Sequence, residues 1–196
     1  TIVGCGRQGR TQLAALSRVR RLARVCAVDA DPTVALRFAR EMTATLSVDV
    51  RPVGTIADAD RDSRIWVTCT PSREPLLRRD DVAPGSFIAA VGADNEHKQE
   101  LDPALMAAGA VIVDDLEQCA TIGDLHHAVA QGVLSTADVH AELAEVVAGL
   151  KPGRRSSEEI TIFDSTGVAI EDVAAAAAVY EKAVGAGRGV TIDLGA

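Results

Sequence analysis

The fold is decided by residues 1–9, which read TIVGCGRQG. Residues 1–3 are all β-branched, as is typical of a strand, and Gly4, Gly6 and Gly9 follow with the spacing G-x-G-x-x-G. In this pattern the first glycine permits a tight turn, the second lets the backbone approach a pyrophosphate, and the third lets the next helix pack closely on the strand. The stretch therefore predicts a strand, a phosphate-binding turn and a helix whose N-terminus faces the phosphates.

An acidic residue 20 positions after this turn indicates which dinucleotide the turn would bind. Asp29 ends a second predicted strand, and a carboxylate there accepts hydrogen bonds from both ribose hydroxyls. The same charge repels a 2′-phosphate, so the pattern favours NAD over NADP. The alternative is an acid that only caps a helix or lies in a loop, since Asp31 and Pro32 begin the next predicted helix.

Short β-branched runs alternate with longer helical stretches along the chain, which predicts an α/β fold with a Rossmann-type doubly wound parallel sheet. The predicted strands are residues 1–3, 24–29, 47–50, 65–69, 86–91, 110–113, 160–163 and 190–194. The predicted helices are residues 8–20, one that starts at Pro32, a short one near Ile56, and residues 99–108, 123–131, 137–149 and 170–184.

The predicted elements divide into two parts. Residues 1–169 are predicted to form an NAD-binding Rossmann domain, whereas the helix and strand of residues 170–196 have no place in a minimal nucleotide-binding fold. We expect these C-terminal elements to return into a second domain that is largely missing from the sequence. The first strand is short and no Met precedes it, so we expect the Rossmann domain to be truncated at its N-terminus.

The composition disfavours several classes of partner. The formal net charge of −8 repels nucleic acid and anionic membrane surfaces, and no apolar run approaches the length that spans a bilayer. The four cysteines are scattered without a C-x-x-C pair, which favours a reduced, cytoplasmic protein. The four histidines lack metal-ligand spacing, so we predict no metal site.

Further candidate residues follow the predicted strands, because ligands of open parallel sheets lie beyond the carboxyl ends of the strands. Thr70 either contacts the dinucleotide or belongs to a plain turn. Gly92 would leave room for a nicotinamide ring, and Asp94 would act as an acid or base beside it or only cap a helix. Lys98 would meet a phosphate or stay solvated, and Ser165 would cap a helix or contact the ligand.

Together these motifs resemble the ornithine cyclodeaminase/mu-crystallin family, which includes archaeal alanine dehydrogenases and imine reductases. The resemblance covers nearly the whole chain, and its most specific part is residues 159–172, EITIFDSTGVAIED. The other matching segments are residues 4–9 with Gln8, residues 68–73 (TCTPSR), residues 91–94 (VGAD) with Lys98, Glu100 and Leu101, residues 113–115 with Gln118, and residues 145–149 (EVVAG).

The resemblance implies an NAD site and a catalytic residue. It implies that Asp29 contacts the adenosine ribose and that Asp94 is the catalytic acid or base. The residues it places on the pyrophosphate are Gly4, Gly6, Arg7 and Gln8. The residues it places along the rest of the dinucleotide are Thr70, Val91, Gly92, Lys98 and Ser165.

The resemblance also implies an activity, namely the conversion of L-ornithine to L-proline and ammonia. A hydride passes from the substrate to NAD, the side-chain amine attacks the resulting imine, ammonia leaves, and the hydride returns. An alanine dehydrogenase or ketimine reductase is the alternative within the family, and a crystallin-like protein that binds NAD without catalysis is the alternative outside enzymes.

The family resemblance further implies a homodimer that acts on a small amino acid. In that family an upstream segment supplies an Arg and a Lys that hold the substrate, and we expect that segment to be missing here. We therefore expect this chain alone to be inactive.

Overall fold

The computed structural model describes residues 1–192 and divides the chain into two units, one from Thr1 to Thr166 and one from Gly167 onward. The strands are β1 (Ile2–Val3), β2 (Arg24–Val28), β3 (Asp49–Pro52), β4 (Ile65–Thr68), β5 (Arg73–Leu77), β6 (Phe87–Ala90), β7 (Gln99–Leu101), β8 (Ala110–Val113), β9 (Ala141–Glu142) and β10 (Thr161–Asp164). The α-helices are α1 (Arg7–Val19), α2 (Pro32–Leu46), α3 (Pro103–Ala108), α4 (Leu116–Ile122), α5 (Asp124–Ala130), α6 (Leu143–Val147) and α7 (Ala169–Gly185).

The first unit is built on a parallel sheet that, within the described residues, has eight strands in the order β3-β2-β1-β4-β6-β10-β8-β9. β1 pairs with both β2 and β4, so the strand order reverses direction beside β1. This is the arrangement of a doubly wound nucleotide-binding sheet. The predicted fold class is confirmed, and the seven predicted strands from residues 1–3 to 160–163 are found with ends shifted by at most two residues.

Both faces of the sheet are buried, which explains why its strands are continuously apolar rather than alternating. Neighbouring residues of a strand point to opposite faces. Trp66 and Ile88 join one buried cluster with residues of α3, α4 and α5, whereas Val67 and Ala89 join a second cluster with residues of α1 and α2. The sheet is therefore held between two helical layers, and its strand ends at the carboxyl edge are positioned by both.

The predicted helix at residues 99–108 is wrong in its first part. Gln99–Leu101 form β7, which pairs in parallel with β5, a strand in a segment for which no element was predicted. α3 begins only at Pro103, after Asp102 accepts a hydrogen bond from the Ala104 N–H at 2.8 Å. A residue before proline is disfavoured in the helical conformation, so the helix cannot extend back through Asp102.

The predicted helix at residues 137–149 is also mostly wrong. Ala141–Glu142 form the edge strand β9 beside β8, and the helix that follows is only Leu143–Val147. α4 was not predicted, and it ends at Gly123 immediately before α5.

The second unit contains α7, which confirms the helix predicted over residues 170–184. Residues 190–192 are not in a strand, and the remainder of the predicted strand at residues 190–194 lies outside the described residues. In the part of the chain that the structure describes, no helix combines the length and apolarity needed to cross a membrane.

Candidate cofactor site

A cavity of about 760 Å³ lies at the carboxyl ends of β1, β2 and β4. Its wall includes Gly4 and Gly6 from the turn after β1, Asp29 after β2, and Thr70 after β4. The position is the point where the strand order reverses, which is where dinucleotides bind in doubly wound sheets. The cavity therefore unites three of the sequence-predicted elements of the site.

The three glycines of the turn meet different demands. A Cβ on Gly4, which has φ +99°, would lie 2.6 Å from the Cys69 carbonyl oxygen, and one on Gly9 would lie 2.2 Å from the Gly4 carbonyl oxygen. A Cβ on Gly6 would have nothing within 4 Å. Gly4 and Gly9 are therefore required by backbone packing, whereas Gly6, which lines the cavity, is uncrowded and leaves space for a pyrophosphate to approach.

Arg10 fixes the glycine turn, a role that the sequence analysis missed. Its guanidinium donates hydrogen bonds to the carbonyl oxygens of Cys5 and Gly6 and to the Glu41 carboxylate. It also lies 5.4 Å from the centre of the Phe38 ring, which stabilises a cation. Two carbonyl dipoles that would repel a phosphate are thereby held against a positive charge.

Asp29 connects the turn to the end of β2. Its Oδ2 accepts a hydrogen bond from the Cys5 N–H at 2.8 Å, and its Oδ1 accepts one from the Asp31 N–H at 3.0 Å. The cap of α2 is Asp31, whose carboxylate accepts from the Thr33 N–H. The alternative that Asp29 is a helix cap is therefore wrong, and its carboxylate is held at the cavity wall.

Gln8 and Val91 are brought together across the site. The Gln8 side-chain amide donates to the Val91 carbonyl oxygen at 3.3 Å, which links the start of α1 to the end of β6. Arg7, at the first position of α1, is exposed.

Glu100 organises the ends of β4 and β6 from inside the protein. The side chain is 0% exposed, and its Oε1 accepts hydrogen bonds from the N–H and the hydroxyl of Thr70 at 2.6 and 2.7 Å. Its Oε2 accepts from the Thr68 hydroxyl at 2.8 Å and the Gly92 N–H at 2.9 Å. The sequence analysis named Glu100 only within a segment that matches the family. Nothing in the local sequence pattern indicates that this acidic side chain is buried.

The absence of a side chain at Gly92 allows Glu100 and Thr70 to approach the backbone closely, which differs from the role predicted for this glycine. A Cβ on Gly92 would lie 2.5 Å from the Thr70 carbonyl oxygen and 2.6 Å from the Glu100 carboxylate. The prediction that the missing side chain makes room for a nicotinamide ring is wrong, because the space it leaves is filled by the protein's own groups.

Asp94 is exposed and paired with a lysine. Its Oδ1 lies 2.8 Å from the Lys98 Nζ and accepts a hydrogen bond from the Asn95 side chain, while 57% of its side chain is exposed. The hydrogen bond from Lys98 holds the pKa of Asp94 below its ordinary value. No helix starts there, so the capping alternative is wrong. The cavity wall described above includes neither Asp94 nor Lys98.

Ser165 follows β10 and lies next to β6. Its N–H donates to the Ala90 carbonyl oxygen at 2.9 Å, and its hydroxyl donates to the Asp114 carboxylate at 2.9 Å. The residue that precedes α7 is Val168, which makes no side-chain cap, so the helix-cap alternative for Ser165 is wrong. The hydrogen bonds instead place Ser165 at the same carboxyl edge as Val91.

Hydrogen bonds connect Glu100 to two further buried carboxyl groups, those of Asp124 and Asp164. We call these three residues the carboxyl row. Asp124 Oδ1 accepts hydrogen bonds from the N–H groups of Glu100 and Leu101 at 2.8 and 2.9 Å. Asp164 accepts from the N–H groups of Asp124 and Leu125, which begin α5. Burial raises the pKa of Asp164 to about 7 and the pKa of Asp124 well above its ordinary value.

The two cysteines nearest the glycine turn, Cys5 and Cys69, are held as thiols. Burial, followed by the nearby Asp29 charge, raises the pKa of Cys5 to about 12, and burial raises that of Cys69 to about 12. Both thiols therefore stay protonated at neutral pH and are poor nucleophiles. Among the described residues, no group of three or more His, Cys, Asp or Glu side chains is placed to hold a metal ion.

Comparisons with known proteins agree with this geometry. The model of the ornithine cyclodeaminase/mu-crystallin family matches residues 1–187. The alanine dehydrogenase of Archaeoglobus fulgidus is 45% identical over 183 residues, which cover 93% of this chain and 56% of that protein.

Two solved structures have closely similar folds. One is an archaeal alanine dehydrogenase dimer with bound NAD, at 41% identity and a TM-score of 0.92, covering 98% of this chain and 59% of that one. The other is the Δ1-pyrroline-2-carboxylate reductase of Thermococcus litoralis in complex with NADH and L-proline, at 36% identity and a TM-score of 0.94, covering 97% and 59%. The chain thus spans less than two thirds of the length of these relatives.

Proposed function

Because the chain belongs to the ornithine cyclodeaminase/mu-crystallin family, we propose that it is the NAD-binding part of an enzyme that oxidises an amine or reduces an imine at the α-carbon of a small amino acid. The observation that carries this proposal is the Asp29 carboxylate, which is fastened to the glycine turn through the Cys5 N–H at the wall of the cavity. Asp29 and the uncrowded Gly6 both line this cavity.

The residues that line the cavity are suited to the pyrophosphate and the adenosine ribose of a dinucleotide. Gly6 and the N-terminus of α1 offer an uncrowded approach for the pyrophosphate, with Arg10 holding the turn. Asp29 can accept hydrogen bonds from the adenosine ribose and would repel the 2′-phosphate of NADP. When bound, NAD supplies a hydride acceptor and NADH a hydride donor.

We assign the nicotinamide half of the site to the strand ends beyond Thr70. The residues proposed there, in addition to Thr70, are Val91, Gly92, Lys98 and Ser165. Arg7 and Gln8 are proposed to contact the pyrophosphate together with the glycine turn. These residues come from the ends of β4, β6 and β10, which are adjacent in the sheet.

Asp94 is proposed as the proton-transfer residue. A carboxylate that Lys98 keeps ionised can accept the proton that leaves a substrate ammonium group when its carbon–nitrogen bond is oxidised. In the reducing direction the same group returns a proton to the amine.

The relatives favour a dehydrogenase or imine reductase, and the ornithine cyclodeaminase activity expected from the sequence shares the first hydride transfer with them. We propose a small amino acid or its imine as the substrate and a homodimer as the whole enzyme, since one relative is described as a dimer. The four free cysteines agree with a reduced, cytoplasmic environment.

Cofactor titration tests the proposal directly. Calorimetric titration of the chain should show tighter binding of NAD than of NADP. Asp29→Asn removes the charge but keeps an acceptor for the Cys5 N–H, so the preference for NAD should fall by roughly tenfold or more. Asp138→Asn is the matched control, because Asp138 is exposed and lies outside the cavity wall. Equal affinity for the two cofactors in the unmodified chain would contradict the assignment of Asp29.

Product analysis separates the activities. The whole protein is incubated with NAD and either alanine or ornithine. A dehydrogenase accumulates NADH together with ammonia, whereas a cyclodeaminase releases ammonia without net NADH. Tight NAD binding without turnover on any amino acid or imine would favour the non-enzymatic alternative.

A further inference from the structure

Glu100 is a buried carboxylate that has no assigned part in the proposed chemistry. It belongs to β7, outside the main sheet, yet its side chain reaches the ends of two strands of that sheet. Four donors converge on its two oxygens within 2.6–2.9 Å. A buried ion with this many partners is costly to form and specific in its geometry.

We propose that Glu100 is a positioning residue of the cofactor site, which fixes the backbone of Thr70 and Gly92 against the bound dinucleotide. This inference rests on the proposed function. Thr70 lies in the cavity wall, and Gly92 lies one residue after Val91, to which Gln8 of the glycine turn is bonded. A change at the Glu100 carboxylate therefore moves the surface against which the ligand lies.

The close approach of the two strand ends supports this role. The Gly92 position admits no side chain, because a Cβ would lie 2.5 Å from the Thr70 carbonyl oxygen and 2.6 Å from the Glu100 carboxylate. The carboxylate accepts one backbone N–H from each strand end, from Thr70 on Oε1 and from Gly92 on Oε2. A glutamine would place an NH2 group, which is itself a donor, against one of these N–H groups.

The backbone of Glu100 is itself held by a second buried acidic side chain. Its own N–H donates to Asp124, and Asp124 is held through its N–H by Asp164. The titratable groups that face the Glu100 carboxylate are Cys69 after β4, Asp124 on α5 and Asp164 on β10. None of these carries a positive charge, so the hydrogen bonds from Thr68, Thr70 and Gly92 are what stabilise the ionised form.

Acidification should move stability and cofactor affinity in opposite directions. Burial raises the pKa of Glu100 above its ordinary value, so the folded protein holds this proton more tightly than the unfolded chain. The contribution of this group to stability is therefore present at low pH and lost as the pH rises through the folded pKa. Protonation nevertheless removes the charge that positions Thr70 and Gly92, so NAD affinity falls on acidification. A residue with only a structural role would not separate the two readouts in this way.

The test compares Glu100→Gln, Glu100→Asp and two controls by calorimetric titration of the chain with NAD. Glu100→Gln should weaken NAD binding roughly tenfold or more, and Glu100→Asp should recover part of the loss because it keeps the charge. Glu74→Gln removes the same charge from an exposed position and should change nothing. Ile162→Val loosens the buried core and should lower the Tm while leaving the affinity unchanged.

A pH series completes the test and remains informative if Glu100→Gln fails to fold. As the pH is lowered from 7.5 through the raised pKa of Glu100, NAD affinity of the unmodified chain should fall. The series is repeated in Asp164→Asn, because Asp164 also has a raised pKa. Unchanged NAD affinity in Glu100→Gln, or in Glu100→Asp where the glutamine variant fails to fold, would overturn the positioning role. Failure of the unmodified chain to bind NAD at any pH would overturn the proposed function, and the role of Glu100 with it.

Discussion

At the scale of single residues, Asp94 shows how a neighbouring side chain sets the ionisation state of a carboxyl group. The sequence left it open as an acid, a base or a cap, and the structure adds the Lys98 ion pair at 2.8 Å. That partner lowers the pKa of Asp94, so the group is ionised at neutral pH. The residue is at the same time 57% exposed, which leaves it accessible to a substrate.

Asp94→Asn in the whole protein is the corresponding prediction. The change is nearly isosteric and removes the titratable group, so turnover should fall by roughly 10²–10⁴-fold, the usual contribution of a positioned acid or base. The Kd of NAD should stay nearly constant, because the assigned anchors of the dinucleotide are elsewhere. Lys98→Met, which removes the ion-pair partner, should move the acid limb of the kcat profile to higher pH. Near-normal turnover of Asp94→Asn would show that another group transfers the proton.

At the scale of elements, the sequence predicted those parts whose signals are local. The glycine spacing and the β-branched run identified β1, the turn and α1, and Asp31-Pro32 identified the start of α2. β5 and β7 were not predicted because each is short, and within the described residues they pair with each other outside the main sheet.

In the candidate site, too, residues with a local sequence signal were predicted and residues that act through contacts between elements were not. Asp29 was recognisable from its distance to the turn, whereas Arg10 and Glu100 act through contacts with residues from other elements. Arg10 reaches back to the turn and across to α2, and Glu100 joins β7 to the ends of β4 and β6. Such contacts depend on how elements pack, and one sequence does not display them.

The turns at the strand ends give a matched pair of predictions. Gly92→Ala should destabilise the protein by about 1–3 kcal/mol, because the new Cβ meets the Thr70 carbonyl oxygen and the Glu100 carboxylate. Gly6→Ala places its Cβ in open space at a φ of −76°, so the Tm should hardly change. The same Cβ projects where the pyrophosphate approaches, and NAD affinity should fall by roughly tenfold or more.

Thermal unfolding and NAD titration of both variants check this pair. The expected result is a loss of stability in Gly92→Ala and a loss of affinity without a loss of stability in Gly6→Ala. A Gly6→Ala variant with unchanged affinity would show that the ligand does not approach the turn from its open side.

At the scale of the whole molecule, we expect the carboxyl row to make the free energy of unfolding fall as the pH rises, which is the opposite of the usual effect of acidic side chains. Asp164 and Asp124 are fully buried, and Asp124 Oδ2 has no hydrogen-bond partner in the described part of the protein, which favours the neutral form. Burial raises the pKa of Asp164 to about 7, against an ordinary value of 3.8. The stabilisation from this group is therefore fully present below about pH 4 and is lost as the pH rises to about 7.

The free energy of unfolding should accordingly be higher at pH 5 than at pH 8, by about 1 kcal/mol or more. Urea unfolding of the chain at the two pH values measures the difference. Asp164→Asn removes one member of the row and should shrink the difference, although it also weakens the caps on the first N–H groups of α5. Asp138→Asn, an exposed control, should keep it. Most acidic side chains with partners lose stabilising contacts on acidification, so a protein that is less stable at pH 5 than at pH 8 would show that surface carboxylates outweigh the row.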